Sequence, residues 1–195
     1  MATWPSTRWS VCCVSVRTAT KLPRRAAQDL ADRLNGALNR TVSDSRLSVR
    51  PITEHDRDAF ELRRVVGEDR VPLELDGTTA RLFVRLLVVV EDGRCRTESY
   101  TYRIQADESR KSWQIRWEYR RDPPLADYAY PRAHAHTNSF FADGSPLAPI
   151  HIVAPKLPLE LVIRNLISDW GVEPRTDDWK AILEESAADF GGLGD

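Results

Sequence analysis

The sequence predicts an α+β fold with an antiparallel meander sheet of about five to seven strands, one N-terminal helix and two C-terminal helices. Three observations lead to this prediction. Segments with β-prone composition or alternating polarity fill the centre of the chain, above all residues 79–121. Apolar side chains recur at helical spacing near both ends, in residues 23–39 and 158–170. Asp-Gly dipeptides flank the central segments, as they do in turns between antiparallel strands.

The N-terminal third combines one clear helix with weaker strand signals. Residues 9–17 are β-prone and predict a first strand. Residues 46–52 predict another short strand, whereas residues 54–66 fit a helix and a strand equally well. The helix predicted over residues 23–39 has an apolar stripe formed by Ala27, Leu30, Leu34 and Leu38.

The central segments carry the strongest strand signals. Residues 79–90 form a near-continuous apolar run, which predicts a central strand covered on both faces. Residues 128–138 and 148–153 predict two further strands. In residues 94–105 one face of the predicted strand carries Tyr100, Tyr102 and Ile104. In residues 111–121 the alternation places on one side Trp113, Ile115, Trp117 and Tyr119.

Two helices are predicted to close the chain. Residues 158–170 carry a regular apolar stripe, and Gly171 fits the left-handed residue that often follows a helix. Thr176 is a suitable N-cap for a second helix, whose buried face is predicted to contain Trp179, Ile182, Leu183 and Phe190. We therefore expect a single domain over residues 1–190 and a frayed tail over residues 191–195.

Composition excludes several classes of protein. The 195 residues suffice for one buried core, and 28 basic against 29 acidic side chains exclude a chain-wide polycation that coats DNA. No apolar run approaches the roughly 18–20 residues of a membrane span. Cys12, Cys13 and Cys95 do not form a disulfide framework by number or spacing, which favours a reducing cytoplasm. The 24 arginines against four lysines indicate a GC-rich, bacterial coding sequence.

The charges are unevenly distributed along the chain. Residues 1–50 carry nine basic and three acidic side chains, a balance of +6, and residues 158–195 carry three basic and nine acidic ones, a balance of −6. These segments either attract each other in the fold or present separate faces to a protein partner. One functional hypothesis is therefore a non-catalytic interaction domain that binds a partner through them.

A polar strand face in residues 130–138 is the best candidate for chemistry. Because side chains alternate along a strand, one face of this segment carries Tyr130, Arg132, His134, His136 and Asn138. If Asp143-Gly144 centres a hairpin, His151 falls directly opposite His136. Three imidazoles would then lie on one patch of the sheet.

Three interpretations of this patch remain open. In the first, His134, His136 and His151 transfer protons in a metal-free cleavage of RNA that needs no cofactor, and the substrate is bound by Arg132, Tyr130 and Asn138. In the second, the three histidines bind zinc or another divalent metal and leave one coordination position open. In the third, the histidines are structural and hydrogen-bond to neighbouring strands.

The strand around the histidines resembles part of a known group of proteins. Between Tyr100 and Asn138 the chain runs Tyr-x-Tyr, then Trp-x-x-x-Trp-x-Tyr, and then a Pro-x-x-His-x-His strand. This pattern is similar to that of small uncharacterised bacterial proteins, including TumE-type toxins of toxin–antitoxin modules. The residues that match position by position are Pro131, His134 and His136. The resemblance implies a toxin or phage-defence role for a nuclease-like protein that acts on RNA.

Overall fold

The computed structural model describes residues 21–52, 58–107, 113–122, 131–138 and 150–188. Several sequence predictions lie outside these residues: the first strand at 9–17 with Cys12 and Cys13, the hairpin turn at Asp143-Gly144, Tyr130, Phe190, and the tail at 191–195.

The described residues confirm the α+β class. Helix α1 (Lys21–Thr41) precedes the sheet, and helices α2 (Leu159–Trp170) and α3 (Trp179–Ala188) follow it. The predicted N-terminal helix therefore exists and extends two residues further at each end. All three helices contribute apolar side chains to one hydrophobic core with the sheet.

The main sheet of the described part has eight strands, and all its pairings are antiparallel. Its order is β1-β2-β6-β7-β8-β9-β10, with β5 paired to β6, so the last five strands form the predicted meander. A separate ribbon pairs β3 (Val65–Val66) with β4 (Asp69–Arg70). The strands of the main sheet are β1 (Ser48–Ile52), β2 (Ala59–Arg63), β5 (Leu73–Glu74), β6 (Arg81–Glu91), β7 (Arg94–Gln105), β8 (Trp113–Arg120), β9 (Ala133–Thr137) and β10 (Ile150–Val153).

The described helices cover one face of β6, whereas the side chains on its other face are half-buried, so among the described residues the predicted full coverage is confirmed for one face only. Burial alternates along the strand, and the core side chains are Leu82, Val84, Leu86 and Val88. The intervening positions include Arg81 and Arg85, which reach solvent on the opposite side. We call this side, opposite the described helices, the second face of the sheet. This alternation is not evident from the sequence, because Phe83 and Leu87, which point to the second face, are apolar like the core residues.

A bulge in β8 moves one aromatic ring to the second face. The register between β7 and β8 shifts after Ile104, so that Gln105 pairs with Trp113 and Gln114 is the extra residue. The Trp113 ring consequently lies on the side of Arg116, whose guanidinium carbon is 5.4 Å from the ring centroid. The predicted grouping of Trp113 with Ile115 is therefore wrong.

The tyrosines of β7 connect the sheet to the start of α2. Tyr100 and Tyr102 share one face of β7, as predicted; both are buried, and their rings stack with centroids 4.4 Å apart. Burial raises the pKa of Tyr100 to about 12. Its hydroxyl oxygen accepts a 2.8 Å hydrogen bond from the Leu157 backbone N–H, two residues before α2 begins.

The helix ends follow local sequence signals. Gly171 ends α2 in the predicted left-handed conformation, with φ 68°. The prediction that Thr176 is the N-cap of α3 is wrong, because the helix begins at Trp179 and its first backbone hydrogen bond goes to the Asp178 carbonyl. The Thr176 hydroxyl instead donates to the Asp178 carboxylate at 2.6 Å. The predicted buried face of α3 is confirmed for Ile182 and Leu183.

Candidate functional site

Strands β9 and β10 bring three histidines together on the second face. Their register places His136 directly opposite His151, as the sequence predicts. The ring centroids lie 4.3 Å apart for His136 and His151, 4.8 Å for His134 and His136, and 5.6 Å for His134 and His151. One nitrogen from each ring lies within 4.8 Å of the others. We call these residues the histidine triad.

A backbone carbonyl fixes the orientation of His134. The residue is 3% exposed, and its Nδ1 lies 2.9 Å from the carbonyl oxygen of Pro131. A carbonyl can only accept, so Nδ1 carries the proton in this contact, and the neutral ring has its lone pair on Nε2. This arrangement is the usual outer-shell support of a metal-binding imidazole.

His136 has no hydrogen-bond partner among the described residues, although it is 5% exposed. Glu118 Oε2 lies 3.0 Å from its Nε2, but outside the direction that a hydrogen bond requires. Burial, together with the nearby charge of Arg116 and against the opposing effect of Glu118, lowers the pKa of His136 to about 4. The ring is therefore neutral near pH 7. A buried polar group without a hydrogen-bond partner lowers the stability of a protein by about 1–3 kcal/mol, so the unpaired imidazole of His136 needs a physical explanation.

Strand β8 supplies two charged neighbours of the triad. Arg116 pairs with His136 and Glu118 pairs with His134 in the β8–β9 register. Glu118 Oε2 lies 3.8 Å from the Nε2 of His134 and 3.3 Å from the Nη2 of Arg116. The sequence pattern places both residues on one side of residues 111–121. It does not reveal that this side faces the histidines, because that depends on which strand β8 pairs with.

The other predicted binding residues have different surroundings. Arg132 is exposed, and its charge acts on the phenol of Tyr119, whose pKa is raised by burial. The amide of Asn138 donates a 2.9 Å hydrogen bond to the Trp113 carbonyl and so fixes the β8–β9 pairing at this end. The arginine that the register places beside the imidazoles is Arg116 rather than Arg132.

The triad has the donor set of a transition-metal site with an open position. Three imidazole nitrogens suit zinc, whose Zn–N bonds of about 2.0–2.1 Å require ligand nitrogens about 3.4 Å apart in a tetrahedral site. The nitrogens now lie within 4.8 Å of one another, so closure needs a shift of about 1 Å, within reach of ring rotation. The two orphaned nitrogens of His136 fit such an ion, since coordination would satisfy one of them.

Comparisons with known proteins returned no match. No protein-family model matches the chain, and no significant match was found among curated proteins or solved structures. The resemblance to TumE-type toxins therefore stays a prediction. Among the described helices, none is both long and apolar enough to cross a bilayer.

Proposed function

We propose that this protein binds one divalent transition metal, with zinc the best fit, through His134, His136 and His151, and that the centre hydrolyses phosphate esters. The observation that carries the proposal is His136, a buried imidazole without a hydrogen-bond partner and with its ring centroid 4.3 Å from that of His151. A bound cation would form a coordination bond with one of these buried nitrogens and so remove the energetic cost of leaving it unpaired.

The protonation state of His136 favours a ligand over a general acid. A general acid or base works best when its pKa lies near the operating pH. The pKa of about 4 leaves His136 neutral, which is the form that binds metals.

The neighbours of the triad suit a hydrolytic reaction. A metal with three protein ligands lowers the pKa of a water bound at its fourth position. Glu118 lies beside two of the imidazoles and could take the proton of such a water. Attack of the water oxygen on phosphorus would break the bond to the ester oxygen, Glu118 would pass its proton to this leaving oxygen, and Arg116 would stabilise the negative charge that develops on the phosphoryl oxygens.

Metal stoichiometry tests the proposal. Protein freed of metal with a chelator and then titrated with zinc is expected to bind one equivalent, and His136→Ala and His151→Ala are expected to lose it. His55→Ala is the matched control, because His55 is the one histidine of the chain that belongs to neither β9 nor β10 in the sequence. The assignment would be contradicted if the wild-type protein took up no zinc. It would also be contradicted if His55→Ala lost as much zinc binding as the triad variants.

Metal-free cleavage of RNA is the second candidate. Two histidines close together beside an arginine are the groups needed to deprotonate the ribose 2′-hydroxyl and protonate the leaving oxygen. The observation in its favour is the position of Arg116 directly opposite His136. Ribonuclease activity that persists in chelator and yields a cyclic phosphate would select this candidate. The toxin or phage-defence role remains a prediction under either chemistry.

A further inference from the structure

A buried carboxylate on the second face lies among arginines from several neighbouring strands. Glu61 of β2 is 3% exposed. Its Oε2 lies 2.8 Å from the Nη1 of Arg63 and 3.7 Å from the Nη2 of Arg70, and its Oε1 accepts a 2.6 Å hydrogen bond from the Nε of Arg85. The β1–β2 register also places Arg50 directly opposite Glu61. We call these four arginines the arginine cluster.

The arginine cluster carries more positive charge than Glu61 balances. Three guanidiniums lie within 3.7 Å of this one carboxylate, which leaves an excess of two positive charges before Arg50 is counted. The reverse arrangement occurs at Arg175, whose guanidinium lies between the carboxylates of Asp44 and Asp76. An anion that binds beside Glu61 would neutralise the excess charge of the cluster.

The pairing of the strands adds to the need for such an anion. Arg63 lies directly opposite Arg85 in the β2–β6 register, and like charges in this position destabilise a sheet. The Nε and Nη1 of Arg63 are also buried without a hydrogen-bond partner among the described residues, because the nearby Glu61 oxygen lies outside the direction that a hydrogen bond requires. Unpaired buried donors lower the stability of a protein. A bound anion with several oxygens would supply acceptors and offset the repulsion.

The outer part of the arginine cluster is accessible to solvent. The side chains of Arg70 and Arg85 are 46% and 41% exposed, whereas that of Arg63 is 16% exposed. The cluster therefore combines a buried inner part, where Glu61 orients the guanidiniums, with an outer part that a ligand can reach. Groups that are held in place before a ligand arrives lose less conformational entropy on binding.

We propose that the arginine cluster binds a phosphate monoester group. Guanidinium groups match the oxygens of phosphate and form charge-assisted hydrogen bonds with them. A phosphate monoester carries a charge of about −1.5 to −2 at pH 7, which matches the excess of two positive charges around Glu61 better than the single charge of a carboxylate does. The group belongs either to a small phosphorylated molecule or to the phosphorylated end of a nucleic acid strand, and a binding experiment distinguishes these two sources.

The proposed phosphate site is separate from the histidine triad. The strand registers connect Arg85 to His134 through Thr101 and Glu118, so the two residues are three strands apart. At the usual strand spacing this separation is about 14 Å. Binding at the arginine cluster requires neither a metal nor an imidazole, and the proposal therefore does not depend on the proposed function.

Isothermal titration calorimetry in the presence of a chelator tests the proposal with two probes, inorganic phosphate and a 5′-phosphorylated 12-nucleotide oligouridine. Wild type is expected to bind at least one of them. Arg70→Gln and Arg85→Gln are each expected to weaken this binding about tenfold, because each substitution removes one charge-assisted contact. Arg70 belongs to the β3–β4 ribbon, so its variant tests binding even if Arg85→Gln disturbs the main sheet.

Arg96→Gln is the matched control. Arg96 is a strand arginine of similar exposure, at 53%, and it has a carboxylate of its own, because Glu91 Oε2 lies 3.1 Å from its Nη1. Its substitution is expected to leave the affinity for both probes unchanged.

The two probes identify the source of the phosphate group. Binding of inorganic phosphate that depends on Arg70 and Arg85 supports the proposal and indicates a small phosphorylated molecule. The same dependence for the 5′-phosphorylated strand alone supports the proposal and indicates the end of a nucleic acid.

Three results would overturn the proposal. Wild type could bind neither probe, or Arg96→Gln could weaken binding as much as the cluster variants do. In the third, an oligouridine with a 5′-hydroxyl depends on the arginine cluster as strongly as the 5′-phosphorylated one, which would show that a phosphodiester is sufficient. Zinc uptake by wild type that binds neither probe would defeat this proposal alone, whereas phosphate binding through the cluster without zinc uptake would defeat the proposed function alone.

Discussion

At the scale of single residues, His136 differs from the other members of the triad. His134 has a backbone carbonyl partner at 2.9 Å, and His151 is half-buried, but His136 is buried with both ring nitrogens lacking a hydrogen-bond partner in the described part of the chain. Evolution tolerates such a cost when the group serves a ligand or a reaction. The account of the site depends on this residue more than on any other.

Cys95 provides a residue-scale prediction outside the site. Its thiol is half-buried, and burial raises its pKa to about 11 from an ordinary value of 9.0. At pH 8 the thiolate fraction is therefore about a hundredfold lower than for an exposed thiol, and the thiolate is the species that iodoacetamide attacks.

We expect the Cys95 peptide to be alkylated slowly in the folded protein at pH 8 and much faster in urea, as followed by peptide mass spectrometry. Raising the pH towards 11 should speed the folded-state reaction, because the deprotonated fraction grows. Equal rates in buffer and in urea at pH 8 would show that the thiol is not shielded as described.

Sequence reasoning located the histidines but not all of their neighbours. The period of two assigned His134, His136 and Arg132 to one face, and the hairpin arithmetic placed His151 opposite His136. The period says which face a residue is on, but not where the end of a long side chain lies. The charge of Arg132 acts to lower the pKa of Tyr119, against the larger effect of burial, and Arg132 is not paired with the histidines in the strand register. Arg116 was missed as a site residue because strand pairing is a long-range property that local alternation does not encode.

At the scale of elements, helices were predicted more closely than strands. Helix α2 was predicted within one residue, because its stripe and its glycine stop signal are local. The predicted strand 79–90 corresponds to β6, but its burial on one face depends on where the helices pack, which the strand's own composition does not specify. The bulge at Gln114 was missed because a bulge reflects the pairing of two strands.

Alanine substitutions at two glycines are expected to change the stability of the protein in opposite directions. Gly171→Ala is expected to lower the free energy of unfolding by about 1–2 kcal/mol, because a Cβ is disfavoured at φ 68° even though no atom lies within 4 Å of its position. Gly36→Ala, inside α1 with equally open space around its Cβ, is expected to raise it by about 0.5–1 kcal/mol.

Chemical denaturation of the two variants and the wild type measures both changes under identical conditions. Because neither substitution creates a steric contact, the difference isolates the backbone conformation. If both variants were destabilised by similar amounts, the left-handed conformation of Gly171 would not be the cause of the lost stability.

At the scale of the whole molecule, helices from the basic and the acidic segments of the chain contact each other. The Nη1 of Arg33 in α1 donates a 2.7 Å hydrogen bond to the Ser186 carbonyl of α3, and Arg40 lies 3.7 Å from Glu185. The ion pair between Arg40 and Glu185 agrees with the first alternative stated for the charge distribution, in which the basic and acidic segments attract each other. The described helices lie on one side of the sheet, and the histidine triad lies on the other. The molecule thus separates a structural face from the face to which we assign function.

Diffraction at the zinc absorption edge, from crystals grown with one equivalent of zinc, tests the central claim most directly. The account predicts one strong anomalous peak between His134, His136 and His151, about 2.0–2.1 Å from one nitrogen of each ring. His136→Ala crystals grown in the same way should lack the peak. A wild-type map with no density at the triad, or with zinc bound only elsewhere, would contradict the account.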